Sequence, residues 1–374
     1  MNQPSFTPFA LEAWQSRYEQ TVAFNLADSG VQPVTARMLL DETQIERLLD
    51  LPIHYPEVNG TLALRRSIAA LYAGAEVDDV LTTVGAAEAN AIVCQTLLRP
   101  GDEVVVMEPG YRQVWGLAHN IGCDVRAFPL LPERGWRPDL DALAASVSQR
   151  TRLIALVNPN NPTGVVLTDD ERAAIVAIAR GCGAWLLADE VYRGAERVGE
   201  AETPSFWGSY ERAIVVNSFS KAYGLSGLRL GWLLAPRDLV EELWRRHEYA
   251  TIAASAHAML CGEAALVPET RVMLLGRQRA LIRGGWKLVA NWAARFPDLV
   301  TVTPPDATAL AFVRYLPDVP SVELAERIRA EADVLVAPGA CFGLEGYLRI
   351  THGLERGYVA EALSRVARVL GEVR

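Results

Sequence analysis

From about residue 60 the chain alternates between two hydrophobic periods. Segments such as LALRRSIAALYAG and AAEANAIVCQTLL space their apolar residues three to four apart, the signature of a helix with one buried face. Between them stand short runs that are apolar throughout: EVVVM at 103–107, LIALV at 153–157, AWLLA at 184–188, AIVV at 213–216 and then GWLLA. A run ending in LTTVG precedes them, VRAFPL lies among them, and further helices are predicted near 111–121, 139–148 and 169–181. Strands apolar on both faces and separated by amphipathic helices predict an α/β fold, a mostly parallel sheet sandwiched by helices. After residue 236 the pattern changes to helical stretches over 241–254 and 277–295. Strands follow around 299–315, 333–336 and 347–351, with a closing helix near 354–371. The expected division is an N-terminal segment (1–50) packing with the small domain, a large α/β domain (51–265) and a smaller α+β C-terminal domain (266–374).

Composition narrows the class. With 374 residues, 50% hydrophobic and 22% charged, the chain can bury a large core. A formal charge of −9 argues against a nucleic-acid partner, which needs a basic surface. The cysteines at 94, 123, 182, 261 and 341 lack the spacing of metal ligands or a redox pair, so reduced thiols are expected. The first twenty residues lack a signal h-region, and no apolar run reaches membrane-spanning length. A cytoplasmic location with no membrane partner and no metal is the expectation.

The richest segment is SFSKAYGLSGLRLGW at 218–232. Its lysine follows the apolar run AIVV, so the ammonium of Lys221 emerges at a strand end among few charges. Desolvation lowers a lysine pKa, and a neutral amine attacks carbonyls to form imines. Ser218, Ser220 and Arg229 add hydroxyl donors and a fixed cation suited to a phosphate dianion. Three more strings fall at strand ends, where open α/β sheets bind ligands. VGAAEAN at 84–90 opens a helix with small residues whose free amides a phosphate can approach, or makes a plain strand-to-helix turn. NPNNPTG at 158–164 locks an amide side chain into a stiff loop. ADEVYRG at 188–194 brings a carboxylate out of an apolar strand, which is costly without a cationic partner such as a protonated ring nitrogen.

Taken in order, GAAEA, PGY, NPNNPTG, DEVY, SFSKAYGLSGLRLGW and a late YLRI resemble the fold-type I, pyridoxal-phosphate-dependent class I/II aminotransferases over nearly the whole chain. The resemblance implies pyridoxal 5'-phosphate as cofactor and a Schiff base at Lys221. Asp189 would pair with the pyridine nitrogen, Asn161 and Tyr192 with the ring hydroxyl oxygen, and Tyr111 would stack on the ring. Ser218, Ser220, Arg229 and the amides of Ala86 and Ala87 would hold the phosphate, joined by Tyr55 from a neighbouring subunit. A homodimer with shared active sites is therefore implied. Arg349 would clamp the substrate carboxylate, with Asn161 and Gly30 beside it. The phosphate turn departs from the family in carrying alanines, so its contacts there would come from backbone alone. No second arginine is found for a dicarboxylic substrate.

The implied activity is transfer of an amino group from an amino acid to a 2-oxo acid. The same early chemistry serves elimination, replacement and cyclisation. The stretch FALEAWQSRYEQTVAFNLADSGVQP resembles the entry segment of a smaller group, capreomycidine synthase among them, acting on arginine or hydroxyarginine. A cyclase or eliminase on such a substrate is the alternative. An acid in this segment could pair with a guanidinium, Asp28 first and Glu12 second, or Asp28 could cap the turn ahead of Ser29 and Gly30. A ligand-sensing regulator is disfavoured because 1–50 is too short and not basic enough for a DNA-binding domain, and a dinucleotide-binding oxidoreductase because no GxGxxG follows the first strand.

Overall fold

The structure is a computed structural model and describes residues 6–373, so the ends of the N-terminal segment and of the C-terminal domain lie outside the described residues. Eight strands form the main sheet in the order Val80–Thr83, Gly231–Leu234, Ala213–Ser218, Trp185–Asp189, Thr151–Val157, Glu103–Glu108, Asp124–Leu131 and Arg137–Pro138. The five from Ala213–Ser218 to Asp124–Leu131 pair in parallel, while Gly231–Leu234 and Arg137–Pro138 pair antiparallel with their neighbours.

The period of two sorts side chains between two cores. Val104, Leu187 and Ile214 face the core built with helix Gly85–Leu97, whereas Val105, Leu186 and Val215 face the opposite one. Both faces are covered, so every residue of Ala213–Ser218 is buried, and the continuous apolar runs of the sequence follow from that.

A second sheet of four antiparallel strands runs Val300–Val302, Leu310–Tyr315, Tyr347–Thr351, Ala337–Pro338. Its core gathers Val289, Ile328 and Val366 from three helices. The N-terminal chain joins this part: Phe24–Asn25 pairs in parallel with Val334–Leu335, and the Trp14 indole donates to the Val336 carbonyl at 2.9 Å.

The helical pattern after 236 differs from the one predicted. The first helix spans Arg237–Ala250 and ends at a break where Ile252 takes φ 69°. Two further helices, Ala256–Leu266 and Pro268–Arg295, then run almost end to end. Ala256–Leu266 is apolar nearly all round and buried, so it has no amphipathic period to read. Pro268 stands at the first helical position, where its missing N–H costs nothing. Among the described residues no helix is long and apolar enough to cross a membrane, and no cluster of His, Cys, Asp or Glu could hold a metal ion.

Candidate active site

Three parallel strands deliver their carboxyl ends to one cavity of about 470 Å³. Val157 precedes the NPNNPTG loop, Asp189 ends the central strand, and Ser218 begins the lysine segment. The register pairs Val157 with Asp189 and Asp189 with Val216, so the three exits lie side by side.

Within NPNNPTG the asparagines divide the work. Asn158 accepts from the Leu167 amide at 3.0 Å, and Asn160 accepts from the Thr163 amide and hydroxyl at 3.1 and 2.8 Å. These two stiffen the loop and leave Asn161 to face the cavity, where its Oδ1 accepts from Arg349 at 3.0 Å. The neighbouring acids Asp189 and Glu190 are divided too. Asp189 lines the cavity, while Glu190 accepts from Ser205 and the Phe206 amide, away from it.

Burial pushes the Asp189 carboxyl up to about 6, against hydrogen bonds from Asn90 (3.1 Å) and the Val191 amide (3.2 Å). A cation at this oxygen would reverse that shift. Burial likewise lowers the Lys221 pKa, with Asp28 and Glu12 opposing and Arg349 and Arg229 adding to the effect. The amine is thereby moved toward its neutral, nucleophilic form. Its Nζ donates to Ser29 Oγ at 2.7 Å.

Helix Gly85–Leu97 begins at the cavity with no side-chain cap from Val84, and Ala86 and Ala87 both line the space. Arg229 crosses this helix end so closely that a Cβ on Gly85 would lie 2.7 Å from its guanidinium. Arg229 itself is held at φ 49°, an uncommon conformation for a non-glycine residue. Ser218, Ser220 and Ser226 complete this corner. Uncapped amides, hydroxyls and a guanidinium fit a phosphate, and Asp189 fits a protonated ring nitrogen, so the donor set suits pyridoxal phosphate.

Helix Ala10–Tyr18 and the turn at 28–30 bring Glu12 and Ser29 to the lining, with Phe9 just ahead of the helix, and form a second wall. Tyr111 donates its hydroxyl to Glu12 at 2.9 Å and packs edge-on against Phe9, with 5.0 Å between centroids. Burial, then Glu12, pushes the Tyr111 phenol well above its usual pKa. Tyr192 donates to the Ser29 carbonyl at 3.3 Å.

Other residues stand differently. Asp28 does not line the cavity: its Oδ1 accepts from the amides of Ser29 and Gly30 at 2.5 and 3.1 Å, the turn-capping arrangement. Gly30 contributes its carbonyl to the Thr351 hydroxyl at 2.9 Å. Arg349 lies behind Asn161, fully buried, bonded to the Ala27 carbonyl and with its Nε lacking a partner among the described residues. Tyr55 does not line the cavity and is 78% exposed. Asn90, Gln113, Phe9 and Ser29 line the site without having been assigned from sequence. Asn90 had a signal, a buried amide one turn after Ala87 in VGAAEAN, whereas Phe9 and Ser29 lie in the entry segment FALEAWQSRYEQTVAFNLADSGVQP, in which only the acids and Gly30 were singled out.

A family model described as aminotransferase class I and II matches residues 53–366. Capreomycidine synthase of Streptomyces vinaceus is 34% identical over 314 residues, 83% of this chain and 79% of the relative. Arginine–pyruvate transaminase of Pseudomonas aeruginosa is 32% identical over 347 residues, covering 89% of this chain and 86% of the relative. A crystal structure of a pyridoxal-phosphate-dependent aminotransferase from Streptococcus suis superposes with a TM-score of 0.92 at 29% identity, over 100% of this chain and 99% of that one.

Proposed function

Because the chain belongs to the class I and II aminotransferase family of pyridoxal-phosphate-dependent enzymes, we propose that it moves the amino group of an amino acid to a 2-oxo acid at the Lys221 cavity. The observation that carries this reading is the meeting of Lys221, Asp189 and Asn161, from three adjacent strand ends, in one cavity. Bound pyridoxal phosphate supplies an aldehyde that condenses with amines and a ring that withdraws electrons.

The side chains have separate tasks. Lys221 would hold the cofactor aldehyde and, as a free amine, would take and return the proton of the substrate α-carbon. Asp189 keeps a proton on the ring nitrogen. Asn161 and Tyr192 hold the ring hydroxyl oxygen, and Tyr111 supplies an aromatic face. Ser218, Ser220, Arg229 and the amides of Ala86 and Ala87 hold the phosphate. The exposed Tyr55 completes that corner in a second copy of the chain, making a cytoplasmic homodimer with shared sites. The N-terminal segment 1–50 and the small domain 266–374 close over the large domain 51–265.

Arg349, which lies behind Asn161 and does not line the cavity, is assigned the substrate carboxylate, its planar guanidinium exchanging the Asn161 contact for a bidentate match. Beyond it, the side chain of the substrate meets Glu12. Asp189 and Glu12 are the carboxylates lining the cavity, and among the described residues the one lining arginine is Arg229, at the phosphate corner. A cationic side chain suits this wall and a second carboxylate does not, in keeping with the arginine named for one relative.

A second reading, cyclisation or elimination on an arginine derivative, is favoured by the 34% identity to capreomycidine synthase. One experiment separates the two. Purified holoenzyme is mixed with arginine, γ-hydroxyarginine, alanine, glutamate or aromatic amino acids without an acceptor, while the cofactor band and products are followed. Conversion to the amine form with release of an oxo acid, arginine faster than glutamate, supports transfer. A cyclic product or free ammonia without that conversion supports the second reading.

A further inference from the structure

Ser29 comes from the N-terminal segment, and its hydroxyl meets the lysine delivered by the main sheet. Lys221 Nζ donates to Ser29 Oγ at 2.7 Å, and among the described residues Nζ has no other hydrogen-bond partner. The turn that carries Ser29 is tied down on every side. Asp28 Oδ1 accepts from the Ser29 and Gly30 amides at 2.5 and 3.1 Å, Tyr192 donates to the Ser29 carbonyl at 3.3 Å, and Thr351 donates to the Gly30 carbonyl at 2.9 Å. Tyr192 and Thr351 are themselves buried, one beside the main sheet and one on the C-terminal sheet. A serine in a loose loop samples many positions. This one is placed to within hydrogen-bond tolerance of a single amine.

We propose that Ser29 is a further catalytic residue, whose hydroxyl oxygen accepts an N–H of the free Lys221 amine and holds it aimed at the substrate. The proposal rests on the reading of Lys221 as the reacting amine. A neutral amine carries two N–H bonds and one lone pair, and it rotates freely about its last carbon bond. An acceptor that takes one N–H stops the rotation and leaves the lone pair for the substrate. As the proton moves, the substrate C–H bond breaks, a third N–H bond forms and the electron pair stays with the substrate. The resulting ammonium keeps Ser29 Oγ as its acceptor, now in a charge-assisted bond of greater strength. Asp28 acts one step removed, as the positioning residue that fixes the turn.

The charged groups that bear on this amine are Asp28 and Glu12 from the N-terminal segment, Asp189 from the end of the central strand, Arg349 from the C-terminal sheet and Arg229 from the phosphate corner. Ser29 adds a neutral acceptor, which favours the charged form of the amine. Its removal therefore shifts the titration of Lys221 to lower pH.

The chain makes the measurement clean, since Lys221 and Lys287 are its two lysines. In the cofactor-free protein, trace acetylation across a pH series, quantified by mass spectrometry, reports Lys221 against Lys287 as internal reference. Ser29→Ala is expected to move the Lys221 profile to lower pH, with Ser29→Thr restoring it and Lys287 unchanged. In the holoenzyme, Ser29→Ala should lower kcat about tenfold, the worth of one charge-assisted hydrogen bond, and enlarge the isotope effect of an α-deuterated substrate. KM should stay within about twofold, because uniform binding is untouched. An unchanged Lys221 profile together with an unchanged isotope effect in Ser29→Ala overturns the proposal and leaves Ser29 a turn residue. Borohydride fixation of the cofactor on Lys287 would sink the reading of Lys221 and this proposal with it.

Discussion

The two walls of the cavity are built by different physics. Lys221, Asp189 and Asn161 hang from the ends of parallel strands buried on both faces, and their spacing is inherited from strand register. A slip of one residue would turn Asp189 to the far face, at the cost of moving an entire apolar strand out of its core. The other wall, with Phe9, Glu12 and Ser29, rests on a nine-residue helix, a two-residue strand pairing and a turn held by side-chain hydrogen bonds. Each such bond is worth about 1 kcal/mol, so this wall can change residue by residue without disturbing the sheet. A rigid floor suits chemistry common to a whole family, and an adjustable wall suits choice among substrates.

Substitutions on the floor should therefore abolish the reaction. Lys221→Ala is expected to lower turnover by about 10⁴-fold, the upper range for loss of a proton-transfer group, and to leave borohydride with no lysine to trap at the site. Equal turnover in variant and wild type would place the chemistry elsewhere.

Asp189→Asn should cost about 10²- to 10³-fold in kcat, since a neutral amide cannot hold a proton on the ring nitrogen. The same residue leaves a mark on the cofactor-free protein. Its folded pKa, about 6, lies above the ordinary value of 3.8, so the folded state binds the extra proton and the unfolded state does not. Stability is thus fully present below about pH 4 and falls as pH rises through 6. The shift is worth about 3 kcal/mol at the usual 1.4 kcal/mol per unit. Denaturant titrations of the cofactor-free wild type and Asp189→Asn should show the stability difference moving by that amount between pH 4 and 7. A constant difference would mean that the carboxylate already has a cationic partner within the chain.

The same contrast explains what could be read in the sequence. The floor was legible because continuous apolar runs mark buried strands, and the cavity-lining residues follow such strands directly, as Asp189 follows AWLLA and Ser218 follows AIVVN. The other wall was not. Ser29 lies in the entry segment only as the residue after Asp28, and the bond from Lys221 to it joins residues 192 positions apart, which no local period can report. Asp28 and Glu12 were both visible as acids, but turn chemistry separates their contacts: an aspartate directly ahead of Ser-Gly bonds its own backbone, whereas Glu12 projects from a helix beside Tyr111. The buried helix Ala256–Leu266 was missed for an opposite reason, because it lacks a polar face to give it a period.

On the adjustable wall the expected effects are smaller and selective. Glu12→Gln keeps a carbonyl oxygen for the Tyr111 hydroxyl and removes the charge. It should lower kcat/KM for arginine about tenfold, a charge-assisted hydrogen bond reduced by solvent at this exposed position, while alanine changes by less than about twofold. Parallel losses for arginine and alanine would assign Glu12 to holding Tyr111 and take it out of substrate selection.

The smallest effect is expected at Asp28, and it decides which acid reads the substrate. Asparagine presents the same carbonyl oxygen to the Ser29 and Gly30 amides, so Asp28→Asn should preserve the turn and change arginine and alanine turnover alike, within about twofold. Asp28→Ala removes the acceptor, leaves two amides without their partner and should cost about 1 kcal/mol of stability as Ser29 loses its anchor. A loss confined to arginine in Asp28→Asn would transfer the guanidinium contact from Glu12 to Asp28. The turn would then serve charge as well as geometry, and the wall would be less divided than its hydrogen bonds imply.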